Sequence, residues 1–239
     1  NDILDFSKIE AGKLELSPVA FDLGAVMTET LRGLALRAHQ KGLELICDLR
    51  PEVPQAVVAD PSRLRQILVN LVGNAIKFTT RGEVVVRADV EAWNEEDLQL
   101  HFAVSDTGIG IAPENQQRIF EAFVQADGSI SRSFGGSGLG LSISARLARM
   151  MGGGIWVESE VGRGSTFHFT LRAALPEGTR ISRQEADEPH LSGLKVLVVA
   201  ANTTNRGLLE DFLQGWRIGA LAVGDSEAAL TAVAEACTA

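Results

Sequence analysis

The chain is 239 residues long, 45% hydrophobic, with a net charge of −9 and a pI near 5.0. That length holds one substantial domain and part of a second, and the hydrophobic content is ordinary for a packed globular protein. The acidic balance, with no dense basic cluster, excludes a nucleic-acid binder that works through phosphate contacts. No apolar run approaches the roughly 20 residues that span a bilayer, and no signal peptide is present. Cys47 and Cys237 are the only cysteines; they show no metal-binding spacing and fit a reducing cytoplasm.

The chain opens on Asn-Asp-Ile-Leu, without Met and in what reads as mid-helix, so it is expected to be a cytoplasmic fragment of a longer protein. Ile3, Leu4, Phe6 and Ile9 give residues 1–12 an apolar helical face. Residues 22–40 read as a second helix with an Asp start and Leu23, Val26, Leu31, Leu34 and Leu36 directed inward. Residues 43–49 and 57–59 read as short strands. Asp60 is the expected cap of the next helix and Pro61 its first residue.

That next helix carries two stripes. Leu64, Ile67, Leu68, Leu71, Val72, Ala75 and Ile76 recur at helical spacing and predict a buried face. Gln66, Asn70, Asn74 and Lys77 form the second stripe, the last three at i, i+4 and i+7. Asn is a poor helix former, so two of them one turn apart suggest a demand other than folding. Two amide oxygens and an ammonium on one face suit a cation and the phosphates it bridges. The alternative is an amphipathic helix with an ordinary polar side, and it loses ground to the motifs that follow.

Residues 83–92 and 97–106 predict a hairpin, with Leu98, Leu100, Phe102 and Val104 alternating inward. The second strand ends at Asp106, followed by Gly108 and Gly110. A carboxylate there can accept a hydrogen bond from an exocyclic amine, and the glycines let backbone approach a flat ring. Residues 113–120 read as a helix and 121–138 as a Gly/Ser-rich lid. Phe-Gly-Gly-Ser-Gly-Leu-Gly-Leu at 134–141 opens a helix that runs to about Met151 and offers backbone N–H groups to an anion. No Gly-Lys-Ser/Thr follows, so it is not a Walker loop, and the Rossmann spacing fails too. Residues 155–160 and 166–171 read as strands around a Gly-Arg-Gly-Ser turn, with the Thr166 hydroxyl expected to share an adenine contact with Asp106. His101 and His168 fall in predicted strands and read as surface or packing residues.

Residues 176–190 are polar, charged and aperiodic, which reads as a linker. A β-α-β-α order follows: strand 194–199, helix 204–215, strand 218–223 and helix 226–236.

In this order and spacing the segments resemble the catalytic ATP-binding domain of two-component sensor histidine kinases, of the hybrid subclass. Residues 70–79 are similar to the family's N box, 106–110 to its first glycine box, 119–123 (Ile-Phe-Glu-Ala-Phe) to its F box and 135–140 to its second glycine box. Residues 1–18 resemble the end of a dimerisation helix. The resemblance implies a two-layer α/β sandwich of the histidine-kinase/gyrase type over 19–175 and a linker over 176–192. It also implies the N-terminal half of a flavodoxin-like receiver over 193–239. It implies ATP or ADP with Mg²⁺ as ligands, Asn74 as the metal ligand and Asn70 beside it. Lys77 would meet the phosphates, Asp106 the adenine amine, and Gly108 and Gly110 the ring. Phe123, Gly136, Ser137, Gly138, Leu139, Gly140 and Thr166 complete the implied nucleotide contacts. Arg132 matches a lid arginine and joins Asn70 and Lys77 as implied catalytic residues, whereas Ser133 stands where the family often has Lys or Arg.

The implied activity is transfer of the γ-phosphate of ATP to a histidine on the protein's own dimerisation domain, upstream of Asn1. The parent would be a homodimer passing phosphate to a downstream receiver or phosphotransfer protein; its membrane attachment is left open. Other ATPases of the superfamily place a Glu where Asn70 stands. Asn cannot take a proton from water at neutral pH, which favours an outside nucleophile over hydrolysis. The alternatives are a nucleotide-binding regulatory adaptor without turnover, its receiver half used for docking or ligand sensing, and a gyrase-like ATPase. The receiver half departs from its family where an acidic pair is needed, with Ala200 and Ala201 there and Asn202 next. Methyl groups do not coordinate a hard cation, so this half is expected to dock or sense a ligand rather than accept phosphate.

Overall fold

The computed structural model describes residues 2–93, 97–124, 138–176 and 194–238. They fall into two compact units, 1–181 and 182–239. In chain order the first unit holds α1 (Asp2–Glu10), β1 (Val19–Asp22), α2 (Leu23–Gln40), β2 (Leu43–Leu49), β3 (Ala56–Ala59), α3 (Pro61–Phe78), β4 (Gly82–Trp93) and β5 (Asp97–Asp106). Then come α4 (Pro113–Gln116), a 3-10 turn (Arg118–Phe120), α5 (Gly140–Met150), β6 (Ile155–Glu160) and β7 (Gly164–Ala174).

The strands form one sheet in the order β1-β3-β7-β5-β4-β2, with β6 also paired to β7. Among the described strand pairs of this sheet only β2 and β4 run parallel; the other pairs in it are antiparallel. Period-two alternation decides which side faces the core. Val84, Val86 and Ala88, then Leu98, Leu100, Phe102 and Val104, then Phe167, Phe169, Leu171 and Ala173 are buried against the apolar faces of α2, α3 and α5 in one cluster. The rings of Phe102 and Phe169 stack at its centre, 4.6 Å apart and 5° from parallel. The opposite face of the sheet carries Arg87, Asp89, His101, Thr166 and His168. This is the expected two-layer sandwich.

The helix α3 starts and stops on identifiable contacts. The buried Asp60 carboxylate accepts from Ser62 N at 3.0 Å and Arg63 N at 3.1 Å, and its other oxygen accepts from Ser17 N at 2.9 Å. Pro61 fills the first helical position, where no N–H is needed. At the far end Lys41 Nζ donates to the carbonyls of Ile76 at 2.7 Å, Lys77 at 2.8 Å and Thr79 at 3.2 Å, which satisfies orphan acceptors and opposes the negative helix end. Asp60→Ala strands three donors at once and is expected to cost about 2–3 kcal/mol, read as a lower urea midpoint with an unchanged slope.

Four expectations differ from the structure. Leu36 is 66% exposed, because it lies nearly opposite the inward stripe of Leu23, Met27, Leu31, Leu34 and Ala38. Residues 113–120 are one helical turn and a 3-10 turn rather than a helix, and Ile119 is the one buried residue there. A strand, β1, stands where none was predicted. The dimerisation-like segment is helical only to Glu10, after which the chain runs irregularly to β1.

The second unit has β8 (Lys195–Val199), α6 (Thr203–Gly215), β9 (Gly219–Val223) and α7 (Ser226–Thr238), with β8 and β9 parallel. Asn202 caps α6 by accepting from Asn205 N at 2.7 Å, and Arg206 Nη1 donates to the carbonyl of Ala200 at 2.7 Å. No helix among the described residues is long and apolar enough to cross a membrane.

Candidate functional site

Asn70 and Asn74 lie on the face of α3 that borders α5. Together with Gly140, Ser144, Arg37 and Arg65 they line a cavity of about 550 Å³. Asn70 Nδ2 donates to Ser144 Oγ at 2.9 Å, which fixes the amide and turns its oxygen toward the start of α5. Gly140 is required by that closeness: a Cβ there would run into the Asn70 side chain. Leu139, buried, precedes α5, and its apolar side chain provides no cap for that helix. Its first turn therefore presents backbone N–H groups and the positive dipole end beside the two amides.

A second cluster forms where β5 ends. Asp106 Oδ1 accepts from Gly108 N at 2.8 Å. Burial pushes the Asp106 carboxyl up from its ordinary range, while the backbone donors of Gly108 and Ser165 and the Thr79 hydroxyl pull it back in part. Thr79 Oγ1 is buried without a partner of full hydrogen-bond geometry, leaving a polar atom next to that carboxylate with capacity to spare. The end of α3 closes on the loop: a Cβ on Gly108 would stand 2.7 Å from both the Phe78 carbonyl and Asp106 Oδ1. Gly110 adopts φ +71°, and a side chain there would strike the Glu160 carbonyl. The loop is strapped from behind, with Ile111 N donating to Ser159 Oγ at 2.7 Å and Gly162 N to the Ile109 carbonyl at 2.8 Å.

Phe123 and Gly138, which flank the expected lid, are joined to each other. Phe123 N donates to the Gly138 carbonyl at 3.2 Å, and both residues have positive φ, 66° and 68°. The Phe123 ring, 69% exposed, meets the Phe6 ring edge-on at 5.7 Å. Lys77 does not join the asparagines at their cavity. Its ammonium sits 4.8 Å over the Phe78 ring, where partial burial lowers its pKa. Arg132, Gly136 and Ser137, with most of the expected lid, lie outside the described residues.

One expected partner is corrected. Thr166 pairs across the sheet with Ser105, their hydroxyls 3.0 Å apart, on the face away from Asp106. Ser165 is the residue opposite Asp106, and it is 7% exposed. The alternation of Phe167, Phe169 and Leu171 carried this signal, since Ser165 shares their face and Thr166 does not.

Against known proteins, residues 59–175 match the family model described as the histidine kinase-, DNA gyrase B-, and HSP90-like ATPase. The sensor protein GacS of Pseudomonas syringae pv. syringae is 45% identical over 236 residues, which is 99% of this chain and 26% of that protein. The signal transduction histidine-protein kinase BarA of Escherichia coli K12 is 48% identical over 175 residues, 73% of this chain and 19% of that protein. The crystal structure of full-length ShkA in complex with AMPPNP superposes with a TM-score of 0.80 at 35% identity, over 97% of this chain and 46% of that one. The chain thus spans about a quarter or less of the curated relatives it matches. An asparagine-lined α3, a glycine loop after the β5 aspartate and a glycine-opened α5 lie within the matched segment, and the domain over 59–175 belongs to the histidine kinase-, DNA gyrase B-, and HSP90-like ATPase family.

Proposed function

We propose that this chain is the ATP-binding catalytic module of a hybrid sensor histidine kinase, transferring the γ-phosphate to a histidine on the parent protein's dimerisation domain. The observation that carries it is the layout along α3, with the part-buried Asp106 carboxylate at its C-terminal end and Asn74 and Asn70 one and two turns back from Phe78, the Asn70 amide held by Ser144 beside the start of α5. From Thr79 back to Asn70 is about 13 Å along the helix axis, enough to separate a purine from its triphosphate. Asp106 accepts from the adenine amine, Ser165 and Thr79 flank it, and Gly108 and Gly110 leave room for the ring. Asn74, with Asn70, would hold Mg²⁺ against the phosphates, and bound there the ion would neutralise their charge. Amide oxygens suit that hard cation, and among the described residues no His, Cys, Asp or Glu cluster competes for it.

Phosphate oxygens would be met by the backbone at Gly136, Ser137, Gly138, Leu139 and Gly140, with Lys77 and Arg132 supplying positive charge as γ-phosphate transfer proceeds. Asn70 orients and does not deprotonate, because its amide is bound to Ser144 and has no basic atom. Phe123 closes the lid base. The unit over 193–239 reads as a receiver half without its acid pair, in which the Arg206 guanidinium binds the Ala200 carbonyl at the strand end. Partners would be the dimerisation domain, a second copy of the parent and a downstream phosphate acceptor.

The test is binding followed by labelling. The chain is expected to bind a fluorescent ADP analogue only with Mg²⁺ present. It should take no label from [γ-³²P]ATP on its own histidines, and should phosphorylate an added dimerisation-domain histidine. Steady release of inorganic phosphate without an acceptor would point instead to a water-using ATPase, and absence of nucleotide binding to an adaptor.

A further inference from the structure

Two contacts show that α2 and α3 lie side by side and run the same way. Near their starts Arg65 Nη2 donates to Glu29 Oε2 at 3.2 Å, and near their ends Lys41 Nζ donates to the Lys77 carbonyl at 2.8 Å. Each contact joins residues 36 positions apart. The same offset sets Arg37 of α2 level with Gly73 of α3, beside Asn74. Arg37 and Gly73 both line the cavity of about 550 Å³ that Asn70, Asn74 and Gly140 also line. Arg37 therefore stands across α3 from the start of α5.

Gly73 opens the way between them. Glycine inside a helix is less favourable than alanine, and the protein's own packing does not require it here: a Cβ on Gly73 would meet no atom within 4 Å. A longer side chain would project between Arg37 and the two asparagines. The cations of this region are not equivalent. Arg65 is held by Glu29, and the Lys77 ammonium sits 4.8 Å over the Phe78 ring. Among the described residues Arg37 has no hydrogen-bond or ion-pair partner, and no carboxylate lines the cavity. Its guanidinium is always charged, with N–H donors in a planar fork that fits phosphate oxygens two at a time. In a chain of net charge −9, such a local cation decides where a polyanion is held.

We propose that Arg37 is a further phosphate-binding residue of the nucleotide site, closing its guanidinium on the terminal phosphate of ATP from the side opposite α5. The assignment rests on the ATP-binding function proposed above. With adenine at Asp106 and the phosphates running back along α3, the terminal group comes out over Asn74 and Asn70. Backbone N–H groups at the start of α5 take one side of it, and the bare Gly73 surface leaves the other side to Arg37. ADP lacks that group and leaves the guanidinium in water, so Arg37 reads triphosphate against diphosphate. Arginine stays protonated and neither gives nor takes a proton there.

The experiment measures dissociation constants for AMPPNP and for ADP, both with Mg²⁺, on this chain and on Arg37→Gln, Arg37→Lys and Arg32→Gln, with a thermal melt of each. Arg37→Gln is expected to lose about 5- to 20-fold in affinity for AMPPNP and less than about twofold for ADP, at an unchanged melting temperature. Arg37→Lys keeps the charge without the fork and should fall between. Arg32 is exposed on α2 and lies about 140° round the helix from Arg37, so Arg32→Gln removes the same charge away from the cavity and should leave both constants unchanged. An AMPPNP constant unmoved by Arg37→Gln, a loss shared equally by ADP, or an equal loss in Arg32→Gln overturns the assignment. Should no adenine nucleotide bind, the proposed ATP function is what fails, and Arg37 is judged with tripolyphosphate and Mg²⁺. Tripolyphosphate binding that weakens in Arg37→Gln supports it as a phosphate-binding residue, and equal binding or none overturns it.

Discussion

Asp106→Asn is expected to lower affinity for Mg-ADP about 10- to 100-fold while leaving the melting temperature unchanged or slightly raised. The amide is the same size and its oxygen still accepts from Gly108 N, so the 2.8 Å contact that shapes the loop survives. What changes is the atom offered to the base. An NH₂ group now faces the adenine amine, a donor against a donor, and a hydrogen bond to a charged group worth about 1.5–3 kcal/mol is lost. Stability moves the other way because burial raises the Asp106 pKa. A carboxylate whose folded pKa lies above its unfolded value is a burden on the fold once ionised, and Asn removes it. The same shift has a sign in binding: the wild-type acceptor is lost on acidification at a higher pH than for an ordinary aspartate, and Asp106→Asn should lack that component. Calorimetric titration and thermal melts read the two halves separately. Affinity matching wild type would take Asp106 out of the nucleotide site.

Much of the sandwich was legible because its signals are local. The alternation of Leu98 to Val104 located β5 and its inward face, and Asp60-Pro61 located the start of α3 to the residue. What escaped depends on contacts distant in sequence. β1 is four residues long and exists through its pairing with β3. The helical reading of 113–120 was broken by Gln116, whose Nε2 donates to the carbonyls of Ile111 at 3.0 Å and Ser159 at 2.9 Å, pinning the turn to β6. Asn70 and Asn74 share a stripe by helical period, so their meeting at one cavity was readable. Whether Lys77 accompanies them is decided by a side-chain torsion that places it over Phe78. The choice between Ser165 and Thr166 was readable from strand alternation, yet hydroxyl chemistry alone had pointed to the wrong one. His101 and His168 are 67 positions apart, and only the β5–β7 register brings them together.

Phe169→Ala is expected to cost about 3–5 kcal/mol, a large share of the roughly 5–15 kcal/mol by which a domain is stable. Phe169 is fully buried, and its ring lies against Phe102 on the strand that ends at Asp106, so the cavity would open in the layer that carries the adenine end of the site. No group of the site itself is touched. A ligand that binds only the folded form therefore works against the loss by mass action, about 2.7 kcal/mol at a hundred times its dissociation constant. The melting temperature of the first unit should fall by many degrees in Phe169→Ala and recover in large part when Mg-ADP is added. Phe169→Leu, which leaves a smaller void, should fall less and recover further. A variant that melts low and gains nothing from nucleotide, beside a wild type that does, would show that the Phe102–Phe169 layer sets the geometry of Asp106 as well as the stability of the sheet. Equal gains in both would show that α3 and the glycine loop hold the site without help from that layer.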